Sequence, residues 1–129
     1  MLRPALILAL SGATVEAQTR MTPEEFESWS NGRTLDYRID GQLWGSEQHF
    51  PDRRTLDADA GGACVAGQWY PQGGDICFHY ETGPGPHCWS FWRDGDRVLA
   101  RIAGNPDSPV AEVTISHQPL ACPGPDLGS

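Results

Sequence analysis

The chain has 129 residues, 9 basic and 17 acidic, for a formal charge of −8; 39% are hydrophobic, with 5 Trp, 3 Tyr and 4 Phe. That is material for one core and one domain. The acidic balance argues against nucleic-acid phosphates or an anionic membrane surface as partners, since both need clustered basic charge.

Residues 1–17 open with Arg3, continue through an apolar run from Ala5 to Leu10 and close on Val15-Glu16-Ala17. This is the pattern of a secretory signal peptide cut before Gln18. The apolar run is far shorter than the ~20 residues of a membrane span, and no other stretch approaches that length, so no span is expected in the mature form. A single domain over 18–129 in the periplasm or outside the cell is therefore expected. The four cysteines agree, because an even count in a short exported chain reads as two disulfides.

A helix is expected over 22–31. Thr22 can cap it, Pro23 suits the first turn, Glu25 can close a capping box, and Met21 and Phe26 can form a hydrophobic staple. Phe26 and Trp29 share a face, and a helix this short must dock that face elsewhere.

From Thr34 to Ser116 the hydrophobic period changes to two, with Gly, Pro, Asp and Asn clusters at short intervals. Antiparallel strands are expected near 34–40, 43–50, 53–58, 64–70, 75–81, 87–93, 97–103 and 110–116. A turn at Asp94-Gly95 would pair Phe91 with Val98 and Trp89 with Ala100. A loop between Thr82 and Gly83 would set Cys77 opposite Cys88, and the preceding hairpin would set Trp69 opposite Ile76. One face then gathers Val65, Trp69, Ile76, Phe78, Tyr80, Trp89, Phe91, Val98, Ala100 and Ile102. The fold class is mainly β: an antiparallel meander curled into a half-barrel or a small lipocalin-like barrel, with one short N-terminal helix.

This register discriminates among the three possible cysteine pairings. Cys77 and Cys88 are within disulfide reach of each other, which leaves Cys64 to hold Cys122 and fasten the Pro/Gly-rich tail, residues 117–129, to the sheet. The disulfide-bearing face also carries His79, Ser90, Trp92, Arg97, Leu99 and Arg101. Trp92 opposite Arg97 suggests a cation–ring contact, and the N-terminal helix is expected to cover part of this face, with a binding patch as the alternative.

The chain contains no nucleotide loop, catalytic-triad signature or zinc-site spacing, so no cofactor and no catalytic residue is assigned. Cys77, His79, His87 and Cys88 superficially resemble a metal site, but alternation turns His87 to the other face and oxidation removes the thiolates. Asp75 and Glu81 are too far apart along one strand for paired-carboxylate hydrolysis. His49 and His117 read as ordinary surface histidines.

The triplet Gly67-Gln68-Trp69 resembles the Gly-x-Trp of lipocalins, although there it sits on the first strand. The segments Gly41 to Glu47 and Gly62 to Tyr80 resemble MORN-type hairpin repeats. The runs Gly62-Ala63-Cys64-Val65-Ala66-Gly67-Gln68-Trp69-Tyr70, Gly74-Asp75-Ile76-Cys77-Phe78-His79-Tyr80-Glu81, His87-Cys88-Trp89 and Cys122-Pro123-Gly124-Pro125-Asp126 resemble a family of small exported alphaproteobacterial proteins without an assigned activity. That resemblance implies export and four structural cysteines. The expected function is a non-catalytic binding or interaction module for a small apolar ligand or a protein partner, with Trp44, Trp69 and Trp89 as candidate ligand walls. The alternative is a small secreted hydrolase using a carboxylate and a histidine assembled by folding.

Overall fold

The computed structural model describes Pro4, Ala5 and residues 18–122. The rest of the expected leader, and the tail from Pro123 to Ser129, lie outside the described residues. Strand β1 (Thr19–Arg20) leads into helix α1 (Pro23–Ser30), and eight longer strands follow: β2 (Thr34–Ile39), β3 (Gln42–Phe50), β4 (Arg54–Asp59), β5 (Val65–Gln72), β6 (Asp75–Tyr80), β7 (His87–Asp94), β8 (Arg97–Ile102) and β9 (Ala111–Ser116).

Each of β2 to β9 pairs antiparallel with its neighbour in sequence, and β9 returns to pair with β2. The result is a closed, up-and-down, eight-stranded barrel, which leaves no edge along the ring to be satisfied. The full closure resolves the expected choice between half-barrel and barrel. Strand β1, which the sequence periodicity does not reveal, pairs Thr19 with Arg93 and Arg20 with Trp92. It occupies the stretch of β7 beyond Trp89, where β6 pairing ends, and Arg20 forms an ion pair with Asp75.

The helix starts as its sequence dictates. Thr22 Oγ1 accepts from Glu25 N at 3.1 Å, with Pro23 in the first turn. The helix does not lie on the disulfide-bearing outer face, as expected from sequence; it enters one end of the barrel. Phe26 is fully buried among inward side chains, with its ring 4.6 Å from Phe91, 5.2 Å from Trp69 and 5.5 Å from His49 between centroids. A large apolar anchor is stabilised far more inside the barrel than against a half-solvated outer wall. Arg53 fastens this end from the β3–β4 turn: its guanidinium stacks 4.7 Å from the Trp69 ring and meets Glu27 at 3.1 Å. Met21, Leu35, Ile76, Phe78, Val98, Ala100 and Val113 complete the sealed core around Phe26.

The face assignments from sequence hold, while two hairpin registers differ. Cys77 pairs with Cys88 and Ile76 with Trp89 as expected. The β7–β8 turn, however, is Gly95-Asp96, so Phe91 pairs with Ala100 and Trp89 with Ile102. Positive φ at Gly95 but not at Asp96 fits a turn that demands glycine at its first central position. Likewise β5 and β6 turn on Gly73-Gly74, which sets Trp69 opposite Phe78 rather than Ile76. In both cases the partner moves by two residues, which preserves the face. Trp92 consequently lies opposite Leu99, and the cation over its ring is Arg101, at 5.3 Å, not Arg97.

Both disulfides form as expected, Cys64–Cys122 and Cys77–Cys88. The first draws the tail across the outside of β3 and β4. There Leu56, Ala58 and Cys64 form a second apolar cluster with Phe50, Ala66, Leu120 and Cys122, and Leu120 N donates to Gln48 Oε1 at 3.2 Å.

Candidate functional site

The end of the barrel opposite α1 is open. It leads into a cavity of about 590 Å³, a size typical of small-molecule sites. An eight-stranded barrel has just enough interior for its own side chains or for one small ligand. Here the helix half is filled and the mouth half is not.

Two of the three tryptophans singled out from sequence line this cavity. Trp89 is half-buried in its wall on β7, and Trp44 stands 59% exposed at the rim. Strict alternation from inward Gly45 would turn Trp44 outward. A bulge between β2 and β3, where Tyr37 pairs with Gly45 but Arg38 with Leu43, leaves Trp44 as the extra residue and re-aims it. Trp69 is placed differently: it is 3% exposed, belongs to the sealed core beside Phe26, and does not line the cavity. Val65, Phe78, Ile102 and Ala111 supply further apolar wall.

The inner wall of the cavity is polar where β3 and β4 face it. Gly45, Glu47 and His49 alternate inward on β3, and Thr55, Asp57 and Asp59 do so on β4, with Glu47 directly opposite Asp57 and Gly45 opposite Asp59. Glu47 is 2% exposed. Its Oε1 accepts from Tyr37 Oη at 3.0 Å and pairs with His49 Nε2 at 2.7 Å, while Oε2 accepts from Tyr80 Oη at 3.4 Å. Three donors on one buried carboxylate are the arrangement that makes burial of such a group tolerable.

Burial, the Glu47 charge and the Asp59 charge push the Asp57 carboxyl up to about 8, aided by its hydrogen bond to Glu47. The pair opposed across the strands therefore holds a proton near neutrality, because two adjacent carboxylates in a poorly hydrated site resist simultaneous ionisation. Burial, and after it the Glu47 charge, raise both the Tyr37 and Tyr80 phenols well above their ordinary value, so they remain donors.

His49 corrects the sequence expectation of a surface histidine. It is 2% exposed, its ring is edge-on to Phe26 and Phe78, and its Nδ1 has no hydrogen-bond partner. Glu47, the carboxylate it meets, is two residues away on the same strand. That i, i+2 spacing was the available signal, since it puts both side chains on one face. The cavity is lined by Glu47 and not by His49.

Close approach of strands beside this group requires a glycine at position 67. A Cβ there would stand 2.7 Å from His79 O, 2.9 Å from Tyr80 Cδ1 and 3.2 Å from Thr55 Oγ1. Gly67 thus lets Tyr80 and Thr55 pack over β5.

Among the described residues, no group of three or more His, Cys, Asp or Glu side chains is disposed to hold a metal ion, and no helix is long and apolar enough to cross a membrane. Cys77 and Cys88 are joined to each other, and His87 Nε2 lies 2.9 Å from Pro84 O. Comparison of the chain with family models, with curated proteins and with solved structures finds no match in any of the three.

Proposed function

We propose that this chain is an exported, non-catalytic binding protein that holds a small, largely apolar ligand in the open half of its barrel. The observation that carries the reading is the cavity of about 590 Å³ above a core already sealed by α1. A core position left open to solvent contributes nothing to folding, and an apolar wall with a few convergent polar groups is the usual form of a ligand site. Export is supported by the leader pattern and by two disulfides, which persist in oxidising compartments.

The hydrolase alternative asks for a histidine held against a carboxylate, and Glu47–His49 is such a pair. Its histidine, however, sits behind Glu47 among Phe26 and Phe78 rather than at the cavity surface. A general base must reach the proton it removes, so the geometry favours binding over turnover.

The test is titration of the mature protein with the neutral fluorophore N-phenyl-1-naphthylamine. Saturable one-to-one binding is expected, weakened about tenfold or more in Trp89→Ala, since an aromatic wall contributes one to a few kcal/mol. Non-saturable uptake, or binding indifferent to Trp89, refutes the reading. Export is tested separately by intact mass. The exported form should begin at or near Gln18 and weigh about four mass units less than its reduced form, two per disulfide; retained Met1 or free thiols would reject it.

A further inference from the structure

The chain contains no lysine, and the arginines among the described residues leave the cavity untouched. Four of them neutralise acidic side chains away from it: Arg20 with Asp75, Arg38 with Asp36, and Arg97 with Asp94 and Glu112 on the outer wall, and Arg53 with Glu27 at the helix end. Glu47, Asp57 and Asp59 face inward with no such partner among the described residues. The charged and titratable groups around them are Tyr37 from β2, His49 from β3, Tyr80 from β6 and His87 from β7, while β5, β8 and β9 offer the cavity Val65, Ile102 and Ala111. Of the two histidines, His49 pairs with Glu47 from the side away from the cavity, and His87 lines the mouth with its Nε2 2.9 Å from Pro84 O and not on a carboxylate.

Uncompensated negative charge in a poorly hydrated interior is destabilising. The surrounding space is a largely apolar cavity with five aromatic side chains, Tyr37, Trp44, Phe78, Tyr80 and Trp89. Aromatic faces attract organic cations and repel anions. The acidic group is not disposed to hold a metal ion.

Resting on the binding reading above, we propose that the ligand is an organic cation: an apolar body filling the aromatic part of the cavity, and an ammonium head that meets Glu47, Asp57 and Asp59. Its charge replaces the proton that Asp57 otherwise keeps, so binding near pH 7 releases a proton to solvent. Because that carboxyl titrates at about 8, affinity for a permanently charged head rises with pH, by up to about tenfold per unit below 8, and levels off above it.

Isothermal titration with three molecules of one shape tests this: 4-phenylbutylamine, 4-phenylbutanol and 4-phenylbutyrate. The amine should bind at least about tenfold more tightly than the alcohol, and the carboxylate more weakly than either. Heats measured in two buffers of different ionisation enthalpy should show proton release with the amine alone. Asp57→Asn should abolish the amine's advantage and the proton release. Asp59→Asn, at the exposed rim, removes a second charge of the same acidic group and should reduce the advantage. An alcohol that binds as well as the amine overturns the cation proposal and leaves the apolar-ligand reading standing. Failure of all three to bind at millimolar concentration overturns both.

Discussion

Replacing Asp57 with Asn should stabilise the protein, and by an amount that grows with pH. In the folded chain the Asp57 carboxyl titrates at about 8, raised by burial and by Glu47 and Asp59, against 3.8 for the free side chain. Unfolding between those values therefore releases a proton. The sign follows from linkage: the contribution of Asp57 to stability is full below about pH 4 and declines as pH rises toward 8. Four pH units at about 1.4 kcal/mol each give about 6 kcal/mol as a ceiling, and solvent access to the half-buried Asp57 side chain lowers this to on the order of 5 kcal/mol. Asparagine matches the protonated carboxyl in shape and can donate to Glu47, but it has no proton to lose. Wild type and Asp57→Asn should thus be nearly equal in stability near pH 4 and differ by on the order of 5 kcal/mol at pH 8 and above. At roughly 4 °C per kcal/mol for a domain of this size, that is a separation of about 20 °C in Tm. Urea melts at pH 4, 6, 8 and 9 on the ligand-free protein measure it, and taking the difference between variants cancels the titrating groups that do not interact with Asp57. Parallel pH profiles for the two proteins would show that Asp57 ionises normally in the fold, and the picture of a shared proton with Glu47 would be abandoned.

Phe26→Ala should cost about 3–5 kcal/mol, since its ring is fully buried against Trp69, Phe78 and Phe91, whereas Thr22→Ala should cost about 1 kcal/mol through the lost cap; chemical denaturation checks both, and equal midpoints for wild type and Phe26→Ala would detach the helix from the core. Removing Cys64 and Cys122 together should lower stability by about 1.5 kcal/mol more than removing Cys77 and Cys88, from the ratio of sequence separations, 58 against 11. The same double variant should open the chain around Leu120 to protease, which limited proteolysis reads. Gly67→Ala should destabilise by about 1–3 kcal/mol, because its methyl would press on the backbone oxygen of His79; an unchanged melting temperature would mean that β5 and β6 have room to separate.

Where the chain alternates between apolar and polar residues in the ordinary sense, its sequence was sufficient. The four strands from β5 to β8 present Trp69, Phe78, Phe91 and Ala100 inward. Period, turn residues and cysteine placement all agreed there, so both disulfides and the inward face could be read even with two registers displaced by a pair of residues. The helix was equally legible, because Thr22, Pro23 and Glu25 are local signals that need no partner. Its destination was not, since which cavity Phe26 enters depends on the closure of strands distant in sequence.

Strands β3 and β4 reverse the usual pattern, and there only the tertiary structure could decide. Their inward residues are Gly45, Glu47, His49, Thr55, Asp57 and Asp59, while Phe50, Leu56 and Ala58 lie outside under the tail held by Cys122. By hydrophobicity alone those strands would be turned inside out and His49 would be left on the surface. The inversion is tolerated because two long-range events coincide: the Cys64–Cys122 link covers the outer apolar residues, and barrel closure brings Tyr37 and Tyr80 within hydrogen-bonding distance of Glu47. The local sequence determined strands β2 to β9, the helix and the Cys77–Cys88 link, since each rests on short-range geometry, and it left Cys64 and Cys122 as the remaining pair. The acidic cavity is created by partners from β2, β3, β4 and β6 that meet only when β9 pairs with β2 and closes the ring.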